Sequence, residues 1–164
     1  MREAILALGS NLGDRAANLQ GAVDLLFAEG VRTVLTSSVW ETPPMPTDQP
    51  RYLNATVTTE TALVAEELLL IAKEVEYLLG RRPSKRWGAR PIDIDVLFYG
   101  ESTIASDTLK VPHPMLTERA FVLLPLSEVV SKPLPVLRKS ASSLLTKLDT
   151  SGHTRTGLRL QPPS

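Results

Sequence analysis

Two aspartates, Asp93 and Asp95, interrupt the apolar run Ile92-Asp93-Ile94-Asp95-Val96-Leu97-Phe98-Tyr99. In an extended strand alternate side chains share a face, so both carboxylates point the same way, about 7 Å apart. Asp is depleted in strands, and a carboxylate facing a folded interior is costly without a partner. One Asp paired with an Arg and the other capping a loop would satisfy the pair without any function. A divalent-metal site satisfies it too, and two carboxylates with no His beside them suit Mg²⁺ better than Zn²⁺. Two such ions can bridge the pair and a polyphosphate.

Just upstream, Arg81, Arg82, Lys85, Arg86 and Arg90 lie between Gly80 and Ile92 with no acid among them. Such a stretch is either a solvated turn or a cationic cover for phosphates. Its place immediately before the aspartates favours the cover, because phosphoryl transfer depends mainly on positioning and charge neutralisation. Trp87, in the same polar loop, can stack on a ring or pack against the domain. Glu76 stands one helical turn before the loop and is unremarkable alone. Gly9-Ser10-Asn11-Leu12-Gly13 lacks the Gly-Lys-Ser/Thr ending of a Walker A loop, so it reads as a strand-to-helix turn. His113 is held between prolines, whereas His153 lies in a polar tail.

The elements that must position these groups follow from periodicity. Residues 3–8 predict a first strand, and Asp14 caps a helix over about 15–29 that ends at Gly30. A β-branched segment, 31–40, predicts one strand, and the proline-rich stretch 42–50 a loop. Alternation over 53–60 gives a third strand. Val64, Leu68, Ile71, Ala72, Val75, Leu78 and Leu79 form an apolar stripe on a helix over 64–79, stopped by Gly80. The aspartate-bearing strand spans 92–99, followed by a turn at Gly100-Glu101 and a short strand over 102–104. Short helices are expected at 115–119, 121–129 and 140–148, then a polar, mobile tail from about 150. The order β-α-β-β-α-β predicts an α+β, ferredoxin-like core: a mainly antiparallel sheet with helices on both faces.

The chain has 164 residues, enough for the one domain expected over 1–164. Lys plus Arg equals Asp plus Glu at 18 each, so no global field attracts nucleic acid or membrane, and electrostatic function must be local. No cysteine is present, which excludes disulfides and thiolate chemistry and fits a cytoplasmic protein. No apolar run reaches the roughly 18 residues a spanning helix needs. No exposed apolar stretch calls for an interface, so a monomer is expected.

With these residues assembled, the chain resembles the 6-hydroxymethyl-7,8-dihydropterin pyrophosphokinases of folate biosynthesis. The resemblance rests on Gly9-Ser10-Asn11-Leu12-Gly13, Glu41-Thr42-Pro43-Pro44, Tyr52-Leu53-Asn54-Ala55, the stretch from Arg86 to Asp95, and Val111-Pro112-His113-Pro114, in order and at similar spacing from residue 5 to about 126. It implies a ferredoxin-like fold and transfer of the β,γ-diphosphate of ATP to the hydroxymethyl oxygen of the pterin, releasing AMP. It further implies two Mg²⁺ held by Asp93 and Asp95, with Asp93 near the pterin hydroxyl, and Arg81 and Arg90 stabilising the transferring group. Glu76, Arg86, Trp87, His113 and Arg119 match positions that contact ATP. Thr42, Pro43, Met45, Tyr52, Asn54 and Phe121 match pterin positions, with Trp87 and Asp93 also on that side. The chemistry agrees: a flat heteroaromatic ring wants aromatic walls and a few fixed hydrogen-bond partners. Pro114 departs from members with an aromatic residue there, and no role carries over to Arg82 or Lys85.

Two other functions compete. A different Mg²⁺-dependent nucleotidyl or phosphoryl transferase would share the fold, since function belongs to sites. A nucleic-acid-binding module using the arginine loop and Trp87 would need a broad basic surface, which zero net charge opposes.

Overall fold

The computed structural model describes residues 1–44, 48–82 and 88–163. Ala4, Leu6 and Leu8 face one side of β1 (Arg2–Ser10) and Ile5 the other; all are buried, so this strand runs through the middle of a sheet. Asp14 caps α1 (Arg15–Ala28) by accepting from Ala17 N at 3.1 Å, and the helix buries Leu19, Ala22, Val23 and Leu26. The single strand expected over 31–40 is instead two, β2 (Val31–Thr36) and β3 (Ser38–Thr42). Both pair with β4 (Tyr52–Thr61), but Thr36 opposes Val57 while Trp40 opposes Asn54, so this side carries one residue too many. Ser37 absorbs it. Its hydroxyl accepts from Thr56 N at 2.9 Å, standing in for the missing ladder carbonyl, and donates to Ser38 O at 2.8 Å.

The next helix, α2 (Ala65–Leu78), buries Ala65, Leu68, Ala72 and Val75 together with one acid, Glu76. Val64 and Leu78 were expected in that stripe, but both are more than half exposed at the helix ends. There follow β5 (Asp93–Tyr99), the hairpin β6 (Ile104–Ala105) and β7 (Lys110–Val111), a single 3-10 turn at Leu116–Glu118, α3 (Ala120–Val129), α4 (Ala141–Leu145) and β8 (Thr154–Arg159). The helices expected at 115–119 and 140–148 are thus shorter than their patterns suggested. The polar tail expected from about 150 instead supplies β8, which pairs with β3 and carries the buried Leu160 behind it.

The sheet order is β5-β1-β4-β3-β8, with β2 beside β4, and every pairing is antiparallel. Buried residues of α1 and α2 join one core on the first face; α3 and α4 join a second core on the other. This is the ferredoxin-like α+β arrangement with one strand added at an edge. On β5 the alternation breaks once. Ile94 and Val96 enter the first core, whereas Leu97 and Phe98, though adjacent, both enter the second, because the register with β1 shifts there by a bulge. No helix of the described residues is long and apolar enough to cross a membrane.

Glu128 ties α3 to the added edge. Its carboxylate accepts from Trp40 Nε1 at 2.6 Å and from Ser38 N and Oγ at 3.1 and 2.8 Å, with Arg159 at 3.8 Å. Burial raises this carboxyl's pKa, but the hydrogen bonds from Trp40 and Ser38 outweigh it and hold the carboxyl below its usual 4.5. A depressed folded value means the stabilisation is complete above the ordinary carboxylate range and is lost as pH falls through the lower folded value. Glu128→Gln should therefore cost about 1 kcal/mol near neutral pH, after discounting for partial exposure. In urea denaturation the gap to wild type should close in acid; a gap independent of pH would contradict the assignment.

Candidate active site

The face of β5 that carries Asp93 and Asp95 looks toward α3, and a cavity of about 340 Å³ opens there. Its floor follows from strand pairing. Gly9 opposes Asn54 on one side and Asp93 on the other, and Ala7 opposes Asp95, so these residues share a face across three strands. Glycine and alanine in the middle of that row leave room above the sheet. A Cβ on Gly9 would stand 2.6 Å from Asn54 Oδ1, so the cavity floor is shaped by the absence of a side chain. Asn54 is buried and donates to Thr42 Oγ1 at 2.7 Å, which fixes its amide. Pro43, Tyr52 and Phe121 add walls, and Arg90, His113 and Arg119 complete the rim. Arg119 lies 5.6 Å from the Phe121 ring centre.

The carboxylates differ in surroundings. Asp93 Oδ1 is held by Arg90 Nη1 at 3.2 Å and Arg81 Nε at 3.3 Å, an ion triad drawn from both ends of the basic loop. The Arg81 contact is not aligned as a hydrogen bond, so its buried Nε–H remains without an acceptor. Among the described residues none donates a hydrogen bond to Asp95, and burial pushes its carboxyl upward. His113 and Arg119 pull against that shift, while Asp93 adds to it. Burial lowers His113 in turn, against the pull of Asp95. Met115 N donates to His113 Nδ1 at 3.2 Å, which leaves Nε2 as the ring N–H of the neutral imidazole. Burial, then the Asp93 charge, raises the Tyr52 phenol, so this wall stays neutral.

Behind the cavity, Glu76 does not reach the wall. Its Oε2 accepts from Ile94 N at 2.8 Å, between the two aspartates, and its Oε1 lies 3.7 Å from Lys73 and 3.9 Å from Arg81. Desolvation raises its pKa, opposed by the Ile94 hydrogen bond and the two cations. Helix α2 thereby fixes the height of β5. A second cavity, about 250 Å³, lies between α2 and the β6–β7 hairpin, lined by Leu69, Lys73, Ser106, Thr108 and Lys110 among others. Asp95 and His113 belong to both cavities.

Thr42, Pro43, Tyr52, Asn54, Arg90, Asp93, Asp95, His113, Arg119 and Phe121 thus meet around one space. Arg81 touches it through Asp93, and Glu76 lies beneath it. Met45, Arg86 and Trp87 fall outside the described residues. Sequence reasoning passed over Lys73 and Asn11. Lys73 is the one base in a helix with four glutamates, a signal that could have been read. Asn11 gave none, yet it is 1% exposed and joins three loops. Its backbone N donates to Arg90 O at 3.0 Å, and its Oδ1 accepts from Arg90 N at 2.7 Å. Its Nδ2 donates to Gln49 Oε1 and Pro50 O, both at 3.2 Å.

Comparison with known proteins gives a consistent answer. The family model described as 7,8-dihydro-6-hydroxymethylpterin-pyrophosphokinase (HPPK) matches residues 5–131. The 2-amino-4-hydroxy-6-hydroxymethyldihydropteridine pyrophosphokinase of Methylorubrum extorquens is 45% identical over 157 residues, covering 94% of this chain and 99% of that protein. The protein of the same name from Bacillus subtilis is 41% identical over 145 residues, 87% of this chain and 84% of that one. The mitochondrial folate synthesis bifunctional protein of Pisum sativum is 44% identical over 129 residues, of which 78% of this chain matches 25% of that protein. Among solved structures, the HPPK-DHPS of Plasmodium falciparum superposes with a TM-score of 0.71 at 19% identity. That match spans 89% of this chain and 44% of that one, and it speaks to the fold alone. The chain belongs to the 7,8-dihydro-6-hydroxymethylpterin-pyrophosphokinase family.

Asn11→Ala should leave Arg90 N–H without its acceptor and cost about 1–3 kcal/mol. Amide hydrogen exchange at Arg90 should rise well beyond what global destabilisation accounts for. An unchanged Arg90 exchange rate would remove Asn11 as the clasp.

Proposed function

We propose that the larger cavity takes 6-hydroxymethyl-7,8-dihydropterin, that the cavity beside α2 takes ATP, and that they meet at Asp95 and His113. This family member transfers the β,γ-diphosphate of ATP to the hydroxymethyl group of the dihydropterin, giving the pterin diphosphate and AMP. The observation that carries the assignment of sites is the shared wall. An aromatic-sided space with a fixed amide adjoins a lysine-bearing space, with Asp95 and His113 at the junction and Asp93 beside it in the larger space.

The hydroxymethyl oxygen bonds to the β-phosphorus, and the bond from that phosphorus to the α,β-bridging oxygen breaks. AMP leaves with the bridging oxygen, and the hydroxyl proton passes to the Asp93 carboxylate or through it to water. Tyr52 and Phe121 sandwich the pterin, while Thr42, Pro43 and Asn54 offer hydrogen bonds and edge contacts. Arg81 and Arg90 lie against Asp93 and turn to the transferring phosphates; the acceptorless Nε–H of Arg81 supports that turn. His113 and Arg119 bind the polyphosphate where the cavities join, with Lys73 and Lys110 on the nucleotide side. Met45, Arg86 and Trp87 keep the pterin and ATP roles the resemblance assigns. Glu76 is read as support for β5.

Asp93 and Asp95 fit Mg²⁺. Among the described residues the half-buried Asp95 has no hydrogen-bond donor, and no cluster of three or more His, Cys, Asp or Glu suited to a metal occurs there. That donor set suits an ion completed by phosphate oxygens and water better than one caged by protein. Two ions per site are proposed, and when bound they neutralise the polyphosphate charge. The reading includes a single-domain, cytoplasmic monomer acting on small molecules, without nucleic-acid partners.

Incubation with ATP, Mg²⁺ and the dihydropterin should yield AMP and no ADP, and Asp95→Ala should abolish turnover while keeping the fold by circular dichroism. ADP alone, or turnover independent of pterin, would sink the reading. Arg90→Ala should lower kcat by roughly a hundredfold or more with little change in ATP affinity, as expected for a group acting on the transition state. Equal losses in both would make Arg90 a ground-state binder.

A further inference from the structure

Strand β8 and the turn before it lie beyond residues 5–131, where the family match ends. That turn reaches the acceptor side of the site. Gly152, at φ +75, presses its backbone against Pro43: a Cβ built on it would stand 3.1 Å from Pro43 Cγ and 3.9 Å from Cδ. Its carbonyl accepts from Arg51 Nη2. Pro43 and Arg51 begin and end the loop between β3 and β4, and each adjoins a pterin-side residue: Thr42 before Pro43, Tyr52 after Arg51. One turn therefore touches both ends of the acceptor loop.

Both partners of the contact are anchored. Thr154 opposes Glu41 and Arg155 opposes Trp40 across the ladder, with the Arg155 guanidinium 5.3 Å from the Trp40 ring centre. Thr156 Oγ1 donates to Val39 O at 2.6 Å. The turn is closed by Asp149, which accepts from Ser151 N at 2.9 Å, and by His153 N donating to Thr150 O at 3.2 Å. On the loop side, Arg51 Nε lies 3.6 Å from Glu41 Oε1, and Arg51 O accepts from Arg15 at 3.0 Å.

We infer that the turn at Gly152 is a positioning element for the acceptor: it sets the separation of Pro43 and Tyr52 and thereby the affinity for the pterin. This rests on the larger cavity being the pterin site. The turn touches neither substrate. A side chain at 152 stands closer to Pro43 Cγ than ordinary packing allows, so the proline ring must give by a few tenths of an ångström, and a ring gives less readily than the far end of a flexible side chain. The nucleotide cavity, beside α2 and the β6–β7 hairpin, is lined by no described residue of this turn or its partners Pro43 and Arg51.

The test compares two glycines. Gly30 also has a left-handed backbone, φ +90, but a Cβ there meets nothing within 4 Å. Gly152→Ala and Gly30→Ala thus impose similar backbone strain, and only the first pushes on Pro43. Pterin affinity is read by fluorescence without turnover, alongside ATP affinity, kcat, KM and Tm. Gly152→Ala should raise the pterin Kd and KM roughly tenfold, a misplacement effect, while kcat and ATP affinity stay within about twofold. Gly30→Ala should lower Tm comparably and leave pterin affinity unchanged.

Arg51→Met, at an exposed side chain, should raise the pterin Kd about threefold without a large loss of Tm, and it decides the matter if Gly152→Ala does not fold. Unchanged pterin affinity in Gly152→Ala, or equal weakening of pterin and ATP, overturns the inference. Wild-type protein that fails to bind the dihydropterin overturns the functional reading and the inference together; wild type that binds, with a silent Gly152→Ala, overturns the inference alone.

Discussion

Asp93 and Asp95 stand on alternate positions of β5, near enough that the Asp93 charge, by repulsion, adds to the burial that raises the Asp95 carboxyl. Much of the surrounding chain answers that repulsion. Arg81 and Arg90 come to Asp93 from the two ends of one loop, His113 and Arg119 come to Asp95 from beyond the hairpin, and Lys73 approaches from the helix behind. Even the acid buried beneath the strand is used to hold its backbone, through Ile94 N, and is itself compensated by two cations. A pair so arranged is costly in isolation and favourable beside cations.

The walls of the site come from distant parts of the chain, and their alignment depends on short polar ties. Asn11 is paired with the Arg90 backbone through its own N–H and its Oδ1, and with Gln49 and Pro50 through its amide nitrogen, so the turn after β1 holds the cationic loop and the β3–β4 loop together. Glu128 does the same on the other flank, joining α3, which begins beside Arg119 and Phe121, to β3, which ends at Thr42. These ties are buried or half-buried, where a satisfied hydrogen bond fixes geometry more firmly than it adds stability.

What could be read from the chain was what depends on local period. The stripe of α2 and the Asp14 cap were legible because a helix states its facing every few residues, and the shared face of Asp93 and Asp95 because a strand does so every two. Other features depend on partners far off in sequence. The break at Ser37 arises from an exchange with Thr56; β8 is almost wholly exposed along its edge and so has no apolar alternation to betray it. Glu76 was placed by its nearness to the basic loop, but its direction was settled by an amide on β5 that lacked an acceptor. Val64 and Leu78 looked apolar enough to bury and are more than half exposed, whereas Leu79, just past the helix, packs against the core.

The bulge at Leu97 has a bearing on how error spreads through this strand. Because one residue is inserted there, the half of β5 bearing the aspartates and the half bearing Phe98 and Tyr99 keep separate counts of inside and outside. A one-residue deletion near Tyr99 could be taken up by flattening the bulge, leaving both carboxylates facing the cavity. The same deletion between Ile92 and Asp95 has no such slack, and it would turn an aspartate toward the core beneath α1 and α2. The strand is thus divided into a forgiving segment and an unforgiving one, and both carboxylates sit in the second.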